Sequence, residues 1–362
     1  MDQSYEEPNK IVGTVTAKPP LKTLVFSGDL ALIAFRWLVV SCQAATILIT
    51  WPLWQVHTVT PMLPVVPLPY FDMGLILLLS LGMIIVAPRT GIIAHTILMS
   101  YALLIDQTRL QPEVVSLLFL TWGTLPNPGA KLLGRTHLLA MWLFAGLNKF
   151  LSPAFMHGTA QWILHGLISS PPNWLNQNFG YMIVLGESGT GLLALFPRTR
   201  KLAGLTAFML HMGIFLDLSP LGNNWNQAVW PWNVALAFAG IALIAPWKES
   251  LLQAWKAQRW LVRLLVIYIL IAPAGFYFGI TDAYLAHNLY TSNTPSASTT
   301  GTVVSPTITW SVYNVPFPPE PRLFEQMFKL ACQPGDQMTI VDSRWWFRIQ
   351  ALDERTLTCT RP

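Results

Sequence analysis

The chain has 362 residues, of which 53% are hydrophobic and only 11% charged. Soluble domains carry about 25% charged residues, so the composition excludes an ordinary soluble protein and indicates an integral membrane protein. The net charge of +5 calls for no nucleic acid partner, because the basic residues fall mostly in short loops between apolar segments, where they set topology.

In chain order, Met1–Gly28 carries Glu6, Glu7, Lys10, Lys18 and Lys22 around no apolar core. It reads as a cytosolic tail and not as a signal peptide. A helical transmembrane domain is expected over 29–283. It holds nine apolar segments, at 29–51, 72–87, 90–105, 113–128, 136–152, 179–196, 201–217, 228–246 and 259–281. Several are shorter than the ~20 residues of a simple span, which implies tilt or short helices. Sixteen tryptophans suit the membrane–water interface.

Lysine and arginine concentrate in alternate loops. One side holds Lys10, Lys18, Lys22, Arg89, Lys131, Arg135, Arg198, Arg200, Lys201, Lys248, Lys256, Arg259 and Arg263. The short loops of the other hold Arg109, with Lys149 at a helix end. The positive-inside rule then predicts a multi-pass cell-membrane protein with a cytosolic N-terminus and an extracytoplasmic C-terminus.

Beyond the ninth segment, 284–306 reads as a linker, rich in Ser, Thr and Pro from Tyr290 to Pro306. Residues 307–362 read as a small α+β extracytoplasmic domain. A helix is predicted at Pro321–Leu330 and strands at Met338–Val341, Trp345–Ile349 and Thr356–Cys359. Cys332 and Cys359 both lie in this unit, where a disulfide would staple a domain with little core. Cys42, inside the first segment, reads as core. The chain has no internal repeat and no CxxC pair.

Polar residues within apolar segments mark the candidate site, since ionising a group near hydrocarbon is costly. Lys149 lies near the outer end of the fifth segment, and Asp106 and Arg109 at the outer end of the third. Glu187 is nearer the middle of the sixth, His211 in the outer half of the seventh, and Asp217 at its end. Asn226, Trp230, Trp232 and Asn233 open the eighth. An outward-opening polar cavity would accommodate them. Each also has a structural reading. Asp106 and Arg109 could be a helix-end ion pair, Asn226 and Asn233 caps or bridges, His211 an interhelical hydrogen bond, and Lys149 a snorkelling side chain. Gly186, Gly189 and Gly191 around Glu187 predict close helix packing, with Lys149 or Arg36 as its partner. The seven histidines form no metal-binding spacing, so no metal is expected. His157 and His165 fall in an outer loop. No GxGxxG, P-loop or GxSxG elbow occurs.

The run Ala145, Gly146, Leu147, Asn148, Lys149, Phe150, followed by Phe155, Gly158 and Trp162, resembles the AG-x-x-K motif of the vitamin K-dependent γ-carboxylase-like family. That family includes bacterial proteins with a horizontally transferred transmembrane (HTTM) domain. The resemblance runs through roughly Leu30 to Pro246, with Glu187, Gly191, Arg198–Lys201 and His211. It implies that Lys149 matches a base that deprotonates reduced vitamin K, whereas Asn148 stands in place of the motif's first lysine. The family's large luminal domain has no counterpart, so the resemblance implies a pocket for an isoprenoid or quinone-type lipid and not carboxylation of a protein. Related members resemble terpene cyclases or peptide-maturation factors.

Two functions are therefore expected. The first is a membrane enzyme acting on an isoprenoid or quinone-type lipid from the outer half of the bilayer, with a reduced quinone as candidate cofactor. Lys149 would be the general base, His211 and Glu187 its orienting groups. Asp106, Arg109, Asn226, Asn233 and Trp230 would shape the pocket. The second is a non-catalytic membrane protein whose external domain binds or matures a peptide or protein partner.

Overall fold

The computed structural model describes residues 26–344 and 353–360. The predicted tail before residue 26 and the predicted strand Trp345–Ile349 lie outside the described residues. Each of the nine apolar segments folds as helix. They are α1 (Phe26–Ile49), α2 (Gly74–Val86), α3 (Pro88–Ile105), α4 (Pro112–Gly123), α5 (Pro128–Phe150), α7 (Asn173–Leu195), α8 (Arg200–Leu218), α9 (Trp230–Ala239) and α11 (Trp260–Ile271). Two more helices, α6 (Ala160–Leu167) and α10 (Leu251–Lys256), lie between them. Their boundaries follow local chemistry. Proline occupies the first turn of α3, α4 and α5, where its missing N–H has no partner to lose. Asn127 caps α5 by accepting from Ala130 N, and a reciprocal Ser250–Gln253 capping box starts α10.

Five helical stretches are long and apolar enough to cross a membrane: Leu30–Ile49, Pro88–Ile105, Arg200–Leu218, Gln227–Ile244 and Trp260–Phe278. The pair formed by α5 and Phe155–Leu167 makes a sixth if counted as one broken span. At 13 and 12 residues, α2 and α4 are short apolar helices. The fold is thus a helical bundle consistent with a multi-pass membrane protein, and helix length does not by itself establish nine spans.

The 155–167 segment departs from the expected outer loop. It leaves α5 at 83°, begins as one π-helical turn at Phe155–Thr159 and continues as α6. Ser152 Oγ accepts from Phe155 N at 3.2 Å and Pro153 follows, a cap and first-turn proline that restart a helix in a new direction.

The C-terminal region also differs from a tethered domain. The expected linker supplies β1 (Ser296–Thr300), which pairs antiparallel with β2 (Gln337–Asp342), itself paired with β3 (Asp353–Thr358). Helix α13 (Pro321–Ala331) covers the sheet with Leu323, Phe324, Met327 and Phe328. Cys332 and Cys359 are disulfide-bonded, with Cα atoms 5.9 Å apart, and Cys42 is buried and free. The two regions share core residues. Leu63, from the α1–α2 connection, packs in the sheet's core, while Tyr313 at the end of α12 (Ile308–Tyr313) packs among bundle residues. Gln107, Gln111 and Gln326 stitch the seam through Gln326 Oε1, the Pro316 carbonyl and the Pro64 carbonyl.

Candidate functional site

Lys149 sits in the last turn of α5, facing the middle of α7. Its Nζ donates to both carboxylate oxygens of Glu187, at 2.9 and 2.8 Å. The two residues are 7% and 6% exposed, so Lys149 does not snorkel. The close approach of α5 and α7 explains the pairing. A Cβ on Gly146 would lie 2.2 Å from Ser188 Oγ, and one on Gly191 would lie 2.8 Å from Leu143, so only glycine lets these backbones meet. The other two glycines do not serve this purpose. Gly189 has nothing within 4 Å, and Gly186 is in ordinary contact with Leu210. Arg36, the alternative partner, instead donates to the Thr124 side chain and carbonyl.

The ion pair stands between two cavities. The larger, about 900 Å³, is an apolar cleft walled by α6, α7 and α8. Phe155, Gly158 and Trp162, the residues that follow the lysine motif, all line it. Trp162, Met182 and Met209 on its rim are half-exposed or more, so the cleft opens on the flank of the bundle. Asp217 reaches its wall, with Oδ1 accepting from Asn223 at 2.8 Å. The smaller cavity, about 70 Å³, lies on the inner side of the pair against Trp142, His211, Trp232, Asn233 and His287. It is large enough for a few waters.

His211 is locked in place. The Trp142 indole N–H can only donate, and it gives its proton to His211 Nε2 at 2.9 Å. The ring proton therefore sits on Nδ1 and is donated to Asn233 Oδ1 at 3.0 Å, while Asn233 Nδ2 donates to the Val229 carbonyl at 3.0 Å. With both nitrogens engaged, His211 serves as a wall of the inner chamber and has no lone pair to offer a substrate. The expectation that it orients Lys149 directly is not matched by a contact, since Glu187 is the group to which Lys149 donates.

The other candidates divide. Asn233 lines the inner chamber. Asn226 stands one step back, donating to the Tyr290 hydroxyl, and Tyr290 lines both cavities. Trp230 donates to the Trp225 carbonyl at 3.1 Å and is not among the lining residues. Asp106 and Arg109 belong to a separate cluster. Asp106 caps the turn after α3 by accepting from Thr108 N and Oγ1. Its Oδ2 lies 2.9 Å from His57 Nε2, and His57 Nδ1 lies 3.0 Å from the Thr60 carbonyl. Arg109, 3.7 Å from that carboxylate, donates to the carbonyls of Leu53, Gln55 and Ala102. Burial acts to raise the Asp106 carboxyl, but the His57 hydrogen bond and the Arg109 charge outweigh it and hold the group below the usual carboxylate range. This cluster ties a loop to a helix end.

Sequence reasoning missed Trp142, Trp225, His287 and Tyr290. The last two belong to a strap, residues 286–293, that returns from beyond α11 to close the site. Asn148, next to Lys149, holds it. Asn148 Nδ2 donates to the Ala286 carbonyl at 2.9 Å, its Oδ1 accepts from Tyr277, and its carbonyl accepts from Asn293 at 3.3 Å. The strap places His287, Tyr290 and Ser292 at φ of 59°, 59° and 56°, a left-handed conformation that costs about 1–3 kcal/mol at each non-glycine residue. Such strain next to a cavity is common at functional sites.

Among the described residues, no group of three His, Cys, Asp or Glu could hold a metal ion. No family model, curated protein or solved structure matches this chain. The γ-carboxylase-like resemblance stands on its motif residues alone.

Proposed function

We propose that the protein is a multi-pass membrane enzyme that acts on an isoprenoid or quinone-type lipid, with Lys149 as general base and Glu187 as its proton partner. One observation carries this reading: a buried Lys–Glu pair stands at one end of a predominantly apolar cleft that opens sideways. A long apolar chain suits the walls, and a small polar head suits the pair. Transfer of one proton from the Lys149 ammonium to the Glu187 carboxylate leaves an amine beside a carboxylic acid. The amine is then free to take a proton from a substrate in the cleft. A reduced quinone would be held by Phe155 and Trp225, with its hydroxyl offered to the pair. When bound, it would supply an acidic hydroxyl and reducing equivalents. With nine spans and an extracytoplasmic C-terminal sheet, the positive-inside rule would put this site in the outer half of the bilayer. The peptide-binding alternative has less support, because the apolar face of α13 packs on its own sheet.

Lipid extracts from membranes containing the wild-type protein, Lys149→Ala, Lys149→Arg and Glu187→Gln test the proposal. A product that depends on the wild-type protein should fall by about 10²–10⁴-fold in Lys149→Ala. Lys149→Arg should fail as well, because guanidinium stays protonated. Full product from Lys149→Arg would leave Lys149 a structural cation and end the base reading.

A further inference from the structure

At the opposite end of the bundle from the strap, a second groove of about 740 Å³ runs between α1 and the π-helical continuation of α9, Gly240–Ile244. Phe35 and Leu243 form its floor, and Phe238 and Ile241 its exposed rim. It descends from the helix ends at Ala31 and Pro246 to Leu38 and Phe238, about two helical turns or roughly 10 Å along the axis. At its upper end stand Lys131 and Arg135, one turn apart near the start of α5. Arg135 Nε donates to the Leu243 carbonyl at 2.9 Å and its guanidinium lies over Trp247. These contacts fix the fork and leave its two terminal nitrogens directed elsewhere. Among the described residues, neither cation has a carboxylate within ion-pair distance. The nearby acid, Glu249, lies beyond ion-pair distance, and its charge at Arg135 is opposed by that of Arg200.

We propose that this groove is a binding site for an anionic phospholipid. Its phosphate would sit between Lys131 and Arg135, with an acyl chain along Phe35, Leu38 and Ile241. The apolar channel and the two cations, unpaired among the described residues, are arranged in the order of such a molecule, head at the helix ends and chain inward. A zwitterionic lipid brings its own ammonium to a place already doubly positive, so charge selects against it. The site is independent of the chemistry at Lys149.

The test uses the full chain, delipidated in neutral detergent and titrated with dioleoyl phosphatidylglycerol or dioleoyl phosphatidylcholine, with bound lipid counted by native mass spectrometry. Each cation near a lipid headgroup contributes about a fivefold change in affinity. The wild type should therefore prefer phosphatidylglycerol by roughly 25-fold. Lys131→Gln should reduce the preference to about fivefold, and Lys131→Arg should keep it. Ala34→Trp, at an exposed position on the groove wall, should remove the tightly held lipid and leave the fold intact. Inorganic phosphate should not compete at matched concentration. Equal binding of the two lipids by the wild type would overturn the proposal. So would a preference that survives both Lys131→Gln and Ala34→Trp, because the anionic lipid would then sit elsewhere.

Discussion

Two buried charged clusters flank the same end of the bundle, and they use their charges differently. At Asp106, every charged group is matched several times over. The carboxylate meets His57 and two Thr108 donors, Leu63 N approaches it at 3.3 Å, and Arg109 reaches three carbonyls. At Lys149 the ion pair has each other and two cavities. A charge in the first setting is a fastener. In the second it faces space that something else can fill. The presence of a buried ion pair therefore separates neither from the other, whereas the number of unfilled neighbours does.

Substitutions can break or sharpen that contrast, each read by denaturant unfolding in lipid nanodiscs. The largest effect is expected for Asp106→Ala, which leaves Arg109 buried without its carboxylate and should cost about 5 kcal/mol. Lys149→Met should cost about 4 kcal/mol by stranding Glu187, but Lys149→Met combined with Glu187→Leu should recover most of it. A double variant as unstable as the single one would make the pair a fastener too and erase the distinction.

Cys332→Ser bears on the seam between the regions. Opening a bridge between residues 27 apart in sequence should cost about 3.5 kcal/mol. The loss should appear as early melting of the sheet, with the reactivity of an engineered Gly158→Cys in the open Lys149 cleft toward a thiol probe left unchanged.

The smallest effect concerns Glu320, which accepts from Ala283 N at 2.6 Å where the sheet region meets the bundle. Burial, with the Asp282 charge adding to it, pushes this carboxyl up to about 7. Its protonated form is the one the fold prefers, so its contribution is complete below about 4.5, the unperturbed value, and is lost as pH rises through about 7. The seam should weaken by about 3 kcal/mol between pH 5 and 8. Glu320→Gln should flatten that slope, and an unchanged slope would assign it to another group.

Much of the helical layout was legible because apolar runs bounded by proline, glycine and charge report helices directly, as at Pro88, Pro112 and Pro128. The pairing of Lys149 with Glu187 was within reach for the same reason, since each is the lone charge of its own apolar segment. Three features were harder. The turn at 155–167 carried a readable signal in Ser152 and Pro153, masked by the expectation that a span ends in a loop. Strand β1 has a Ser- and Thr-rich sequence that resembles a linker, and only its partner Gln337–Asp342 makes it a strand. Tyr290 and His287 reach the site through a strap held by Asn148, more than 130 residues earlier. No local pattern encodes a contact of that range.

For the proposed lipid guest, the sideways mouth of the cleft, with Met182 and Met209 at its rim, would set the units in which occupancy has to be counted. A guest that arrives from within a bilayer is already dissolved there, so what governs filling is its mole fraction among the lipids and not its concentration in the surrounding water. Diluting the buffer would leave the cleft as full as before. Adding detergent, which dilutes the lipid phase itself, would empty it.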